Sequence, residues 1–262
     1  MTVDGEVVTD SVRIIERLDT YEGSKRCDLY PRDPTKRERA RKWVGQTSLD
    51  EDRGLGNTLG MTLPAFSSIL LAHMVKALPF KSIKNIFWNH PLNERRFAFC
   101  MMYFTSAGAS LAEKGYDKFA SGLVDIELAL AEEENEEEPY ILGSFSHVDI
   151  NLMCNFHRLS DVRLDPVFDL PELPRISRYW KRLKARPSYK DCILDYYSEK
   201  EYYHINGVFG DGVSPHLEPL TKRIRAELAR RKGSTEVLLD AVDDPQPSSC
   251  LCCRGSAVAP AK

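Results

Sequence analysis

The sequence predicts a mainly helical fold. Apolar residues recur three and four positions apart in one segment after another, which is helical periodicity. Strand-like residues are confined to Thr2–Val8, and helix-start punctuation recurs at Ser11, Asp33-Pro34 and Ser146. The 262 residues are 42% hydrophobic and 29% charged, enough apolar mass for a sizeable core beneath a charged surface.

The elements follow in order. In Thr2–Val8 the Asp4-Gly5 pair reads as the tight turn of a hairpin. Val12, Ile14, Ile15 and Leu18 then form one helical stripe, with Asp10 or Ser11 as the cap. Asp33 caps a second helix whose first position is Pro34, where a missing N–H costs nothing. Asp50 to Leu59 reads as loop, Pro64 to about Leu78 as an apolar helix, and the stretch up to Pro91 as a linker. A helix from near Pro91 carries Phe97, Met101, Phe104 and Leu111, and the pattern resumes from Asp117 to Glu134. The acidic run Glu132 to Glu138 opposes the helix dipole and ends it. Ser146-His147-Val148-Asp149 has the form of a capping box before the stripe Ile150, Leu152, Met153, Phe156 and Leu159. Leu173 to Ala185 and Ser188 to Tyr197 are two further helices, parted at Arg186-Pro187. A glycine-containing loop precedes a charged helix from about Glu218 to Lys232. Residues 233–262 have the composition of a disordered tail.

Composition excludes several roles. A formal net charge of −3, with both basic stretches interrupted by acidic residues, argues against nucleic acid as a partner. The N-terminus lacks a basic start and an apolar run, so no secretory signal is read. The apolar stretch Leu63 to Phe80 is broken by Pro64, His73, Lys76 and Pro79, unlike a membrane span. The single cysteines Cys27, Cys100, Cys154 and Cys192 then read as reduced thiols of a cytoplasmic protein.

Four local signals, in one order, resemble the glutathione transferase superfamily. Asp4-Gly5-Glu6-Val7-Val8-Thr9-Asp10-Ser11 leading into Val12-Arg13-Ile14-Ile15 is similar to that family's last strand and following helix. Leu29-Tyr30-Pro31-Arg32-Asp33-Pro34 is similar to its linker into the helical domain. Gly143-Ser144-Phe145-Ser146-His147-Val148-Asp149 resembles its Gly-x-x-Ser-x-x-Asp cap. Tyr179-Trp180 with Arg186-Pro187-Ser188-Tyr189 resembles the stretch that closes that domain. The likeness covers Asp4 to Tyr197. Added helical material between Gly54 and Pro91 is similar to etherase- or dehalogenase-like members and to the ganglioside-induced differentiation-associated branch. His157-Arg158-Leu159 leans towards the latter.

The resemblance implies a glutathione transferase C-terminal-type helical bundle with a remnant hairpin and helix of a thioredoxin-like domain. The expected divisions are 1–32 for the remnant, 33–200 for the helical domain, 201–232 for a loop and helix, and 233–262 for the tail. It also implies glutathione as co-substrate and a small apolar electrophile as partner. Asp10 would face the peptide's amino group and Ser11 its γ-glutamyl carboxylate, at a helix start suited to anions. On the residues alone, both equally serve as helix caps. The family activates the thiol with a hydroxyl or thiol near the start of its thioredoxin-like domain and grips the peptide with a cis-proline. Because the hairpin opens this sequence, both are expected outside it, and no catalytic residue is assigned within it. A homodimer, which the family builds partly through that domain, is correspondingly in doubt.

The remaining candidates read as structural. Ser146 and Asp149 satisfy the free N–H groups of a buried helix start. His147 and His157, ten residues apart with no Cys or acidic partner at metal spacing, give no zinc site. Tyr196, Tyr197, Tyr202 and Tyr203 either line an apolar pocket or pack. Cys27 and Cys100 lack an adjacent His and are not catalytic. Cys250, Cys252 and Cys253 admit acylation, which would bring the chain to a membrane, a redox-sensitive cluster, or no role. Two functions follow: an enzyme conjugating glutathione to an apolar electrophile, or cleaving or dehalogenating it, and a non-catalytic helical scaffold of the same superfamily.

Overall fold

The computed structural model describes the backbone of residues 1–21, 29–49, 53–132, 140–210 and 212–242, and side chains as far as 232. Cys27, the acidic run from Glu133 to Glu138, and Cys250, Cys252 and Cys253 lie outside the described residues. The chain divides into a compact unit, Met1–Glu227, and a second, Leu228–Lys262.

The described chain is mainly helical, and its sheet is one short hairpin. Strand β1 (Thr2–Val3) pairs antiparallel with β2 (Glu6–Val7). Asp4 and Gly5 both take positive φ, 50° and 83°, which is what a two-residue hairpin turn of the right twist requires. The turn is tied to helix α1 (Ser11–Asp19), because Asp4 accepts from the Tyr21 hydroxyl and pairs with Arg17 at 3.4 Å.

Helix α2 (Pro34–Thr47) starts as its sequence dictates, with the Asp33 carboxylate accepting from the Lys36 N–H at 2.8 Å. Helix α3 (Thr62–Lys76) is the apolar helix expected there, with Ala65, Phe66, Ile69 and Leu70 buried. The expected linker before Pro91 is instead a helix, α4 (Phe80–Asn89). Its inward face is Ile83 and Ile86, packed against Val75, Met102 and Phe99, and Phe80 packs on Tyr103. The long pattern from Pro91 to Leu111 is broken into α5 (Asn93–Phe104) and α6 (Ala107–Glu113). Thr105 turns extended between them and its hydroxyl accepts from the Ala107 N–H at 3.1 Å. Gly108 sits where α6 crosses α3, since a Cβ there would lie 2.6 Å from the Ala72 Cβ.

The core is built on α7 (Tyr116–Glu132), α8 (His147–Asp161) and α9 (Pro174–Ala185). Phe119, Leu123, Ile126, Leu152, Phe156, Ile176, Tyr179 and Leu183 are buried there, with the Phe168 ring tilted against Phe156, centres 4.4 Å apart. Buried Glu127 on α7 accepts from the Arg175 and Ile176 N–H groups, so one helix supplies the acidic cap of another. The helix expected from Ser188 to Tyr197 is a short turn, α10 (Pro187–Tyr189), running into a wide π-type turn, Lys190–Leu194. Helix α11 (Glu199–Gly207), unexpected from the sequence, opens on a capping box in which Ser198 and Glu201 bond reciprocally. Helix α12 (Leu217–Val242) extends beyond Lys232, the end expected for it.

Candidate functional site

The hairpin delivers the chain to Asp10 in an unusual backbone conformation, φ 76° and ψ 132°. A non-glycine residue there crowds its own Cβ, a strain of about 1–3 kcal/mol that persists only where surroundings enforce it. The Asp10 carboxylate caps α1, its Oδ1 accepting from Val12 N at 2.9 Å and Arg13 N at 3.3 Å. With those two N–H groups taken, the helix start still has the Ser11 N–H and hydroxyl, which form no hydrogen bond among the described residues. Ser11 is exposed. Asp10 Oδ2 is likewise left over from the cap.

These groups open into a cleft of about 660 Å³ between α1 and α2. One wall is Asp10, Ser11, Val12 and Glu16. The other is a single face of α2, Arg41, Val44 and Gly45, spaced three and four apart as a helix face must be, continued by Ser48 just beyond its end. Tyr30, 5% exposed, lies at the base. Arg41 is exposed and supplies a cation; Gly45 keeps the wall open, since a Cβ there would have only the Arg53 guanidinium within 4 Å.

Under the cleft the helices are fastened by buried polar groups. The Tyr30 hydroxyl and His147 Nδ1 are 2.7 Å apart, the His147 N–H donates to the Leu29 carbonyl, and the Leu29 N–H donates to Asp19. Burial lowers the His147 pKa to about 4 against a partial pull upwards from the Asp10 carboxylate, and keeps the ring neutral. Its Nε2 is buried with no partner among the described residues. Burial, reinforced by Glu16 and Asp19, pushes the Tyr30 hydroxyl well above its ordinary pKa. From α8, Asn151 donates to Thr47 and Ser48 hydroxyls at 3.1 and 3.0 Å, fixing α2 across α8.

The capping box is buried next to that fastening. Asp149 Oδ2 accepts from the Ser146 N–H and hydroxyl at 2.8 and 2.7 Å, and Oδ1 accepts from the Tyr179 hydroxyl at 2.6 Å. Burial raises the Asp149 pKa although these bonds favour its ionised form. Asp10 and Ser11 thus share one cleft, while Ser146 and Asp149 lie in the core and His147 connects the two. His157 sits at the far end of α8, bonded to the Tyr189 and Tyr197 hydroxyls at 2.8 and 3.2 Å. Among the described residues no three His, Cys, Asp or Glu side chains gather as a metal cage. Tyr197 donates to Asp161, Tyr202 donates to the Leu194 carbonyl, and Tyr196 and Tyr203 are exposed. None of the four lines the cleft. Cys100 is half-buried beside the small cluster around Met102.

No protein-family model, curated protein or solved structure matches this chain. The site therefore stands on its own geometry. Tyr30, Arg41 and His147 were not singled out by sequence reasoning as parts of it. Tyr30 was signalled by the Leu-Tyr-Pro linker and His147 by its place directly after the Ser146 cap. Arg41 carried no signal of its own, because one arginine on a charged helix face looks like any other.

Proposed function

We propose that the chain is a glutathione transferase-like protein whose cleft at Asp10 and Ser11 receives the γ-glutamyl end of glutathione. The observation that carries this reading is the strained Asp10 at the head of α1, where Asp10 and Ser11, with spare donors and a spare carboxylate oxygen, line one cleft. A free amino acid end carries a carboxylate and an ammonium side by side. The Ser11 N–H and hydroxyl offer two donors to the carboxylate, reinforced by the positive end of the helix. Asp10 Oδ2 offers an acceptor to the ammonium, and Arg41 adds a cation within the same cleft. On this reading residues 33–200 are the family's helical domain, and the co-substrate is a small apolar electrophile that the thiol attacks. The family's chemistry requires a group that favours thiolate.

A second reading is a non-catalytic scaffold of the same superfamily. Tyr30, the hydroxyl at the base of the cleft, favours it. That hydroxyl is held against His147, with its pKa pushed up rather than down, the wrong direction for stabilising a thiolate.

Retention on immobilised glutathione tests the site. The native chain is expected to be held and eluted by free glutathione, and Ser11→Ala to pass through with its melting temperature unchanged. Passage of the native chain in the presence of millimolar-range ligand sites removes the reading. Retention without turnover of any thiol-conjugation substrate selects the scaffold.

A further inference from the structure

Helices α4 and α5 form a hairpin with two unlike faces. Inward, Ile83 and Ile86 of α4 meet Met102, Phe99 and Tyr103 of α5 over Val75 of α3. Outward, α5 presents Phe97, Met101 and Phe104, spaced i, i+4, i+7 on a single stripe. Phe97 and Phe104 are 64% and 66% exposed, and Trp88 on α4 is 64% exposed. Phe80 at the start of α4 packs against Phe104 at the end of α5, ring centres 6.1 Å apart, and Phe87 packs against Trp88 at 5.4 Å. Phe80 thus joins the exposed apolar residues of the two helices at one end of the hairpin, and together they form an aromatic band far larger than single scattered residues would give.

The band is set in positive charge. Residues 76–104 hold Lys76, Lys81, Lys84, Arg95 and Arg96 against Glu94 alone, a formal +4 in a chain whose total is −3. Four of these cations are exposed; Arg96 is half-buried and donates to the His90 carbonyl. A groove of about 550 Å³ beside Trp88 is lined by Lys81, Ser82, Lys84, Asn85 and Asn89, donors suited to a phosphate.

We infer that the α4–α5 hairpin docks on an anionic lipid bilayer surface, with its aromatic band entering the headgroup region and its cations on acidic lipid. Aromatic side chains on one face with lysine and arginine beside them are the chemistry that interfacial helices use. A second copy is disfavoured, because a two-fold contact through this face sets +4 against +4. The docking is peripheral. No helix among the described residues is long and apolar enough to cross a membrane.

The full-length, unacylated chain mixed with vesicles tests this. Of three tryptophans, Trp180 is 4% exposed and Trp43 half-buried, so Trp88 reports the surface. With phosphatidylcholine vesicles containing roughly 30% phosphatidylserine, emission should shift to the blue and the protein should co-sediment. Partition should be at least about tenfold weaker on pure phosphatidylcholine and should fall in about 0.5 M salt. Trp88→Phe should lose the blue shift while still sedimenting. Phe97→Ser with Phe104→Ser should lower partition at least about tenfold with unchanged circular dichroism. The inference is overturned by no sedimentation of the native chain, by equal partition on neutral vesicles, or by full partition of the double variant. A vesicle-independent dimer dissolved by that variant also overturns it and assigns the band to a second copy.

Discussion

His147 makes this protein acid-sensitive in a calculable way. The ring is 1% exposed, faces the Tyr30 hydroxyl at Nδ1 and has no partner at Nε2 among the described residues. A proton added there would create a buried cation, a cost that the Asp10 carboxylate and Asn151 offset only in part. The folded ring therefore takes its proton near pH 4 rather than at the ordinary 6.5. The sign follows directly. Below pH 6.5 the unfolded chain binds a proton that the folded chain refuses, so stability falls as pH falls and levels off below about 4. Across that window, at about 1.4 kcal/mol per pH unit, the loss from this ring approaches about 3 kcal/mol. Buried His157 and His216, also lowered by burial, add loss of the same sign, and Asp149, raised by burial, opposes it. A difference measurement isolates His147. In urea denaturation at successive pH values, His147→Gln should be less stable than the native protein at neutral pH, by about 1 kcal/mol for the lost bond to Tyr30. The two curves should cross at about pH 6, and by about pH 4.5 the variant should be the more stable by roughly 1.5 kcal/mol. Parallel pH profiles for the two proteins would refute the reasoning.

Three further outcomes are expected. Asp10→Gly removes the backbone strain and loses little as a cap, so it should raise stability by about 1 kcal/mol while weakening glutathione binding. A loss of stability with binding intact would mean that Asp10 is a cap and nothing more. Asp149→Ala strips the acceptor from Ser146 and Tyr179 and should cost about 2–3 kcal/mol, read as a melting point lower by about 5–10 °C; an unchanged melting point contradicts the buried cap. The hairpin has two short strands, so amides from Thr2 to Val8 should exchange rapidly, and strong protection there would contradict a hairpin with no further strand beside it among the described residues.

Much of the fold was legible because local signals and burial agreed. Asp4-Gly5, Asp33-Pro34 and the Ser146–Asp149 box each set an element boundary where the residues said it would fall, since turn and cap chemistry is local. The misses came from elements held by tertiary contact. Helix α4 did carry a helical pattern, Phe80, Ile83 and Phe87 at i, i+3 and i+7, but in a short stretch between Pro79 and Pro91 that read as linker. The break at Thr105 interrupts an unbroken apolar pattern, because one extended residue recaps the chain without changing hydrophobicity. Helix α11 did carry a readable signal, Ser198 three residues before Glu201, in a stretch whose glycines suggested loop. Asp10 and Ser11 were legible from their position as the start of a helix, and as glutathione contacts only through the resemblance. Tyr30 and Arg41, which line the cleft, and His147 beneath it were not, because they converge from α2, α8 and the connection before α2 only after folding.

The central claim is that the head of α1 recognises an amino acid end through Ser11 and Asp10. Amide-resolved NMR titration with glutathione tests it most directly. The largest shift changes should fall on the Ser11, Val12 and Arg13 amides, and cysteinylglycine, which lacks the γ-glutamyl group, should not reproduce them. Shifts that spare these three amides, or that cysteinylglycine produces equally well, would contradict it.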